Sequence, residues 1–417
     1  MSDYTTHAPS SKISTGEFTL LVALLMSIVA ISIDALLPAL DAIRADILLS
    51  HPNQAQYVVS ALFLGMAIGQ LICGPLSDAT GRKKVLYGGI LLFLVGTVIC
   101  YFADNINILL FGRFIQGLGV SGPYVSAISI VRDKYSGNDM ARIMSLVMMI
   151  FIMVPALAPS LGLAVMWIGS WRDIFVMYVF YALMIAVWIF FRLEETLPKA
   201  HRIPMSAKGF SEGFREVISN IPTLCYTICM GLFFGSFIGY LNSSQQIFQE
   251  LFQTGDLFSL YFGVLAIVFG FSSLVNSQLV QKLGMQHLAK LAIWGIIFSS
   301  ALFLMVHLSI DIQLWMFMIY ASVLFFCFGL VFGNVNAMAM EPMGHVAGIA
   351  AAIIGSTSSI MSMVIGTIIG QMYNGTLFPV TCGFLIFGSI SLLIFNYAQR
   401  ISLQEKSTVT AKPSSNL

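Results

Sequence analysis

GPLSDATGRKK, residues Gly74 to Lys84, is the stretch that decides the fold of this chain. Two hydrophobic stretches flank it, and each is long enough to cross a lipid bilayer. A short turn that contains glycine and ends in Arg82, Lys83 and Lys84 is typical of the cytoplasmic side of a membrane, where basic residues accumulate. We therefore predict an integral membrane protein in which this turn faces the cytoplasm.

The composition of the chain also indicates a membrane protein. Of its 417 residues, 58% are hydrophobic and only 9% are charged, whereas soluble domains carry about a quarter charged residues. The hydrophobic share has room for about twelve spans of roughly 20 residues each. The net charge of +1 argues neither for nor against a nucleic-acid partner, and we expect the lipid bilayer as partner and no nucleic acid.

Hydrophobic runs and helix breakers predict an all-α integral membrane protein with twelve transmembrane helices. The long hydrophilic connection at 193–220 separates two six-helix bundles, at 17–192 and 221–398, with polar segments at 1–16 and 399–417. With the N-terminus inside, 17 of the 20 Lys and Arg residues are cytoplasmic, which predicts that both termini are cytoplasmic. The predicted spans lie near 17–40, 55–77, 83–103, 106–131, 140–164, 171–192, 221–246, 257–281, 286–307, 312–336, 345–372 and 376–398.

A weak internal repeat supports two related halves. The segment Gln278 to Lys290 follows span 8 where the Gly74–Lys84 turn follows span 2, and it keeps one glycine and some basic character. Two bundles of this kind are expected to be related by an axis along the membrane normal.

Residue clusters typical of enzymes and metal sites are missing from the sequence. The six cysteines lie in apolar stretches without C-x-x-C spacing or nearby histidines, which favours packing over disulfide or metal roles. No Ser/His/Asp triad, Cys/His pair or group of residues with the spacing of metal ligands occurs at one predicted membrane depth. We therefore expect no enzyme activity, no cofactor and no metal.

Asp34 is the sharpest candidate for a functional residue. It lies in the first span, about six residues from its outer end, within SIDALLPAL. A charged residue at mid-helix costs about 2.5–3.5 kcal/mol on insertion scales, so it faces the protein interior or water. Two interpretations stay open: a carboxylate that binds a proton or a substrate in turn, or one member of a fixed ion pair.

Arg113 in the fourth span is the predicted partner of Asp34. It lies about seven residues from the outer end of its span, and spans 1 and 4 run in opposite directions, so both charges lie at similar depth. Gln116 follows one turn later on the same face and extends the polar lining. Asp34, Arg113 and Gln116 are therefore predicted to form the proton-coupling and substrate-pocket site.

The glycine-containing turn has a candidate role of its own. Pro75 and Gly81 are predicted to shape it, and Asp78 places a negative charge at the membrane surface. An anion near a helix N-terminus is favoured by about 0.3–1 kcal/mol, so Asp78 can meet the start of span 11 at Gly344–His345 and latch the two halves. Arg132–Asp133 can join this charge network. The alternative is an ordinary cytoplasmic turn.

Span 5 contains Pro155, Pro159 and Gly162 in VPALAPSLG. Prolines four residues apart free backbone carbonyls and bend a helix, which is tolerated where neighbours bind those carbonyls. The bend either lines or seals a central path, or is a packing kink.

The second half carries no carboxylate or arginine in a predicted span core. Its polar span residues include Asn242 and Gln246, so a central cavity is predicted to be charged on the first-half side and uncharged on the other. Phe234, Phe237 and Tyr240 offer an adaptable apolar surface, with core packing or lipid contact favoured for most such residues.

Eight segments together resemble a known family, and their order and spacing make the resemblance specific. They are SIDALLPALDAI, GPLSDATGRKK, RFIQGLG, VRDKY, APSLG with SWRDIF, LEETLP and EPMGHVAGIAAAIIGS. The chain is similar to the Bcr/CflA-type drug/proton antiporters of the major facilitator superfamily. It departs from their pattern at Leu36, at the missing second glycine after APSLG, and at Ala350–Ala352.

The resemblance implies roles for single residues and for the whole chain. Asp34, Arg113 and Gln116 become pocket and coupling residues; Gly74, Asp78, Gly81, Arg82 and Lys83 become a gate loop; Pro155, Pro159 and Gly162 become the antiporter-type motif. The implied function is proton-coupled efflux of small, largely apolar drugs across a bacterial inner membrane by a monomer that uses alternating access. An exporter of one endogenous metabolite or siderophore, and a non-transporting sensor, remain open.

Overall fold

The computed structural model describes residues 13–49, 51–135, 137–202 and 207–410, and within these ranges it is helical. The α-helices are α1 Thr15–Asp34, α2 Leu40–Asp46, α3 Tyr57–Thr80, α4 Arg82–Tyr101, α5 Ile106–Lys134, α6 Gly137–Ile168, α7 Asp173–Arg192, α8 Ala207–Ser219, α9 Ile221–Gln245, α10 Phe258–Leu283, α11 Met285–Ser309, α12 Leu314–Met340, α13 Ala347–Gln371 and α14 Phe378–Thr410.

Helices long enough to cross a membrane dominate the chain. Eleven helical segments of the described residues have the required length and apolar composition. α6 is 32 residues long, its segment Met153–Ile168 is apolar, and it stands where the remaining span was predicted. Helices satisfy their own backbone hydrogen bonds, which hydrocarbon cannot do. The prediction of an all-α multi-pass membrane protein is confirmed.

The helices before and after the linker pack mainly among themselves. In the first half, α5 packs against α1, α3 and α4, and α1 packs against α6 and α7; in the second half, α9 packs against α12, α13 and α14. The two halves meet where α3 packs on α13 and where α6 packs on α10. The linker predicted at 193–220 contains α8, which packs on α13, and α14 continues to Thr410 beyond the predicted boundary at 398.

The two ends of the molecule are distinguished by side-chain contacts. Glu17 at the start of α1 accepts a hydrogen bond of 2.6 Å from Nε of Arg192 at the end of α7. We call this end the linker face, because residues 193–220 follow directly. At the opposite end, which we call the far face, Arg172 pairs with Asp46 and donates to the carbonyl of Ala103 at 2.9 Å.

Equivalent glycine turns join helices in the two halves. Gly81 connects α3 to α4 with a φ of 108°, and Gly284 connects α10 to α11 with a φ of 78°. Both values lie in the region that favours glycine. The repeat seen in the sequence is therefore confirmed as a repeated turn. The prediction that Pro75 shapes the first turn is wrong, because Pro75 lies inside α3.

Candidate functional site

The first predicted span, 17–40, is broken at its candidate functional residue. α1 ends at Asp34, a 3-10 turn follows at Leu37–Ala39, and α2 then continues to Asp46. The local cause is Pro38, which has no N–H for the carbonyl four residues earlier and whose ring clashes with that carbonyl. The prediction of one continuous helix over 17–40 is corrected to a discontinuous one. Such breaks occur where the backbone is buried in protein or lines a cavity.

Asp34 is buried at this break, with 5% of its surface exposed. Among the described residues, none donates a hydrogen bond to its carboxyl group or forms an ion pair with it. Tyr178 on α7 donates to the carbonyl of Ser32, two residues earlier, at 3.3 Å, and α9 of the second half packs on the 3-10 turn that follows Asp34. Asp34 therefore lies between the two halves with a carboxyl group that can accept a proton or a ligand.

Arg113 and Gln116 lie together on α5 and are both fully buried. Arg113 Nη1 donates to Gln116 Oε1 at 2.9 Å, Nη2 to the carbonyl of Ser32 at 2.9 Å, and Nε to the carbonyl of Val58 at 3.1 Å. Both Asp34 and Arg113 are described, and they form no direct ion pair. Arg113 instead holds the main chain two residues before Asp34, so the guanidinium group supports the break in α1.

The span-5 motif packs directly on the segment next to Asp34. α6 continues through Pro155 and Pro159, and a Cβ atom on Gly162 would lie only 1.8 Å from the carbonyl oxygen of Ala35. A side chain at position 162 would therefore displace the break in α1. On the same helix, Ala156 approaches α10 of the second half, where its carbonyl oxygen would lie 3.0 Å from a Cβ atom on Gly263.

Arg82 is the centre of an ion network at the linker face. Its side chain is 3% exposed and bonds to Asp78 Oδ1 at 2.6 Å and to Asp133 Oδ2 at 2.7 Å. Its Nη1 also donates to Ser77 Oγ at 3.1 Å. The expected participation of Asp133 is thus confirmed. We call Asp78, Arg82, Asp133 and Glu195 the linker-face ion network.

Glu195 was not identified from the sequence. Its carboxylate accepts hydrogen bonds from the main-chain N–H groups of Arg82 at 3.0 Å and Lys83 at 3.2 Å. It therefore neutralises free donors at the N-terminus of α4, as a capping carboxylate does. Lys83 Nζ donates to the carbonyl of Leu193 at 2.6 Å. The only signal was the LEETLP segment, which is acidic and follows a span closely.

The remaining members of the predicted gate loop lie at two contacts. A Cβ atom on Gly81 would lie 2.6 Å from Glu195 Oε2, and one on Gly74 would lie 3.4 Å from Cβ of Ala352 on α13. The side chains of 344–348, with which Asp78 was predicted to latch, lie outside the described residues. The latch remains a prediction.

Amide side chains join the two halves at the far face, and we call Asn53, Gln56, Gln246 and Gln371 the far-face amide cluster. Asn53 Nδ2 donates to the carbonyls of Gln371 at 3.1 Å and Tyr373 at 2.9 Å, and Gln371 Nε2 donates to the carbonyl of Asn53 at 2.8 Å. Gln56 Nε2 donates to Gln246 Oε1 at 2.7 Å, and Gln246 Nε2 donates to Asn53 Oδ1 at 3.1 Å. The cluster holds the two halves together at the far face.

Aromatic rings of α9 and α12 form a continuous surface in the second half. Phe237 stacks on Phe328 with ring centroids 5.1 Å apart, and it contacts Phe325 at 5.4 Å. Phe234 reaches across to Phe63 of the first half at 5.9 Å. Packed rings of this kind offer a large apolar contact area. The sequence identified Phe234 and Phe237 as candidates but not their partners on α12.

The site can therefore bind a proton or a polar group at Asp34. Its charged residues come from the first half and its rings mainly from the second, which agrees with the asymmetry of the sequence. No group of three or more His, Cys, Asp or Glu side chains suited to a metal ion occurs in the described part of the chain.

The family model of the Major Facilitator Superfamily matches residues 22–367. The chain is 29% identical to the uncharacterized MFS-type transporter YdgK of Bacillus subtilis, over 85% of this chain and 90% of that protein. It is 25% identical to a bicyclomycin resistance protein homolog of Haemophilus influenzae, over 88% and 92%. It is 28% identical to the multidrug resistance protein MdtL of Escherichia fergusonii, over 78% and 80%.

A solved structure shares the fold of the chain. The proton:xylose symporter XylE bound to 6-bromo-6-deoxy-D-glucose matches with a TM-score of 0.73 over 93% of this chain and 95% of that one. At 14% sequence identity the match shows the fold alone. It agrees with the packing of the two halves described above.

Proposed function

Because the chain belongs to the Major Facilitator Superfamily, a family of transporters and not of enzymes, we propose that it is a proton-coupled exporter of small, largely apolar compounds. One observation carries the proposal: Asp34 is a carboxyl group buried at a helix break between two halves, without a partner among the described residues. An ionisable residue in such a place marks an ion or substrate path. The resistance proteins among the relatives support drugs as cargo.

The proposed orientation places the linker face in the cytoplasm of a bacterial inner membrane. The distribution of Lys and Arg supports it, because the topology predicted from the sequence assigns 17 of the 20 to that side. The chain then has cytoplasmic ends at 1–16 and 399–417, six-helix bundles at 17–192 and 221–398, and a cytoplasmic linker at 193–220. It works as a monomer.

In the proposed mechanism the two halves expose Asp34 to one side of the membrane at a time. Cargo binds from the linker face while the far-face amide cluster is closed, as it is in this conformation. A proton that reaches Asp34 from the far face releases the cargo, and loss of that proton to the linker face resets the site. Arg113 keeps the main chain at Ser32 in place throughout, and Gly162 lets α6 stay in contact with the break.

The test is a proton-antiport assay in everted membrane vesicles. Respiration loads the vesicles with protons, and a panel of drugs and metabolites is added to wild type, Asp34→Asn and the matched exposed control Asp104→Asn. We expect some drugs to collapse the gradient with wild type and Asp104→Asn but not with Asp34→Asn. A folded, inserted protein that responds to no drug contradicts broad drug export, and a response to one metabolite alone replaces it with a narrow exporter.

A further inference from the structure

We propose that Tyr240 is a positioning residue of the coupling site, whose hydroxyl group is the second half's hydrogen-bond donor to the Asp34 carboxylate. The inference rests on the proposed function, because it assigns a partner to the same carboxyl group. It makes closure of the two halves around Asp34 depend on whether that group carries a proton.

The first observation is an unused hydroxyl group. Tyr240 is 2% exposed, and its hydroxyl finds no hydrogen-bond partner in the part of the chain that the structure describes. Buried phenol groups are nearly always hydrogen-bonded, because an unmet donor costs free energy. The hydroxyl of Tyr240 is therefore available to a group that approaches in another state of the site.

The second observation is that three neighbouring rings fix the direction of Tyr240. Its ring meets Phe325 edge-on at 5.2 Å, stacks on Phe262 at 6.4 Å and lies 6.3 Å from Phe237. A ring packed on several sides has few alternative rotamers. The hydroxyl therefore cannot turn away to find a partner elsewhere.

The third observation is the equivalent position of Tyr240 and Asp34 in the two halves. Ser14 caps α1 by accepting from the N–H of Glu17, and Asn220 caps α9 in the same way. Asp34 and Tyr240 each stand twenty residues after the cap of their helix. They therefore lie at corresponding positions of their helices, and α9 packs on the 3-10 turn at Leu37–Ala39 that follows Asp34.

Two side chains of the first half that bond to the main chain just before Asp34 are already occupied. Tyr178 on α7 donates to the carbonyl of Ser32 at 3.3 Å, and Arg113 on α5 bonds to that same carbonyl and to Gln116. On α6, residues 147–168 include no titratable side chain. On α9, which packs on the turn that follows Asp34, the hydroxyl of Tyr240 is a donor without a partner among the described residues.

The consequence is a link between proton binding and the separation of the halves. A hydroxyl donates a short, strong hydrogen bond to a carboxylate and a weaker one to a protonated carboxyl group. The Asp34 carboxylate therefore attracts the second half through Tyr240, and a bound proton weakens that attraction. Cargo with its own donor can take the place of Tyr240 at the same carboxylate.

The variant that tests this is Tyr240→Phe, which keeps the ring and removes only the hydroxyl. Tyr226→Phe is the matched control, because Tyr226 lies on the same helix, is equally buried and packs on Phe395 away from Asp34. Tyr240→Gln retains a hydrogen-bond donor but removes the ring. Comparing Tyr240→Phe with Tyr240→Gln therefore separates loss of the donor from loss of ring packing.

The measurement is an infrared pH titration of purified protein, which needs no transport. The carboxyl C=O band that Asp34→Asn abolishes is followed from low to high pH. Loss of a donor to the carboxylate is expected to move the midpoint of this band up by about one pH unit in Tyr240→Phe, a tenfold change in proton affinity. Wild type and Tyr226→Phe should share one midpoint, and Tyr240→Gln, which keeps a donor but loses the ring that directs it, should lie between wild type and Tyr240→Phe.

Two results overturn the inference: a Tyr240→Phe midpoint equal to that of wild type, or an equal shift in Tyr226→Phe. The vesicle assay is run in parallel. If the Tyr240→Phe midpoint shifts but wild type shows no antiport, the role of Tyr240 is sustained and the proposed function is rejected. If wild type shows antiport but the Tyr240→Phe midpoint does not shift, the proposed function is sustained and the role of Tyr240 is rejected.

Discussion

The linker-face ion network and the far-face amide cluster are built from different chemistry. At the linker face, a nearly buried Arg82 joins Asp78 and Asp133 within the first half, and Glu195 from the linker completes the network. At the far face, the neutral amides of Asn53, Gln56, Gln246 and Gln371 reach from the first half to the second.

This difference in chemistry indicates which of the two contacts opens more easily. Separating a buried ion pair leaves charges without partners and costs about 3–5 kcal/mol, whereas a neutral hydrogen bond contributes about 0.5–1.5 kcal/mol and exchanges readily with water. Ionic bonds therefore suit contacts that persist inside one half. Hydrogen bonds between amide side chains suit a contact between halves that opens in the proposed transport cycle.

The largest effect is expected when Arg82, the centre of the linker-face ion network, is replaced. Arg82→Gln leaves Asp78 and Asp133 without their partner, and we expect it to lower the free energy of unfolding by about 3 kcal/mol, the lower end for a buried pair because Asp78 is partly exposed. Thermal unfolding of purified protein measures it. Lys84→Gln, at an exposed position of the same helix, is the control; equal melting of the two variants would contradict the role of the network.

Forcing the amide cluster apart is expected to change conformation instead of stability. A Cβ atom on Gly370 would lie 2.4 Å from Gln56 Oε1 and 3.0 Å from Cβ of Asn242. Gly370→Ala should therefore open the far face at a cost of about 2 kcal/mol, a shift of roughly thirtyfold in the equilibrium.

The readout is the rate at which an impermeant maleimide labels Gln245→Cys, in a background without the six native cysteines. Gly333→Ala is the control, because a Cβ atom there meets nothing within 4 Å. A labelling rate that Gly370→Ala leaves unchanged would show that the cluster does not control access.

Removing a single amide side chain should also raise the labelling rate, but by less than Gly370→Ala does. Asn53→Ala and Gln246→Ala each lose neutral bonds of the cluster, so each should raise the labelling rate about fivefold, equivalent to about 1 kcal/mol. The double variant should gain less than the product, because the two residues share a bond. If the double variant raised the labelling rate by the full product of the two single increases, the two amides would act independently.

The smallest expected effect concerns an exposed ion pair at the far face. Arg44 and Asp41 lie 2.6 Å apart with side chains 36% and 49% exposed, and such pairs contribute about 0–1 kcal/mol. Arg44→Gln should therefore change neither the labelling rate nor the melting temperature measurably. A loss of stability as large as that of Arg82→Gln would show that charge alone, without burial, decides which contacts matter.

Most of the fold was predictable, because it depends on local chemistry. Apolar length sets where helices cross the membrane, and positive φ at Gly81 and Gly284 follows from the glycines that end two helices. Several span boundaries shifted by only a few residues, for example from 55–77 to Tyr57–Thr80, whereas α14 runs twelve residues past its predicted end at 398. The break after Asp34 was also present in the sequence as Pro38, but its effect on α1 was not predicted.

The candidate site was predictable in its residue types but not in its contacts. Asp34, Arg113 and Gln116 stand out because buried polar groups are rare in spans. Their spacing did not show that Arg113 binds the carbonyl of Ser32, since main-chain acceptors are present at every position.

The sequence by itself determined the membrane fold, the two halves and the polar residues that need a partner. Only the tertiary structure decided which partner a polar group has: Glu195 for the start of α4 and Gln246 for Gln56. The physical reason is distance along the chain. Helix formation and membrane insertion depend on neighbouring residues, whereas these partners lie up to about two hundred residues apart and meet only when the helices pack.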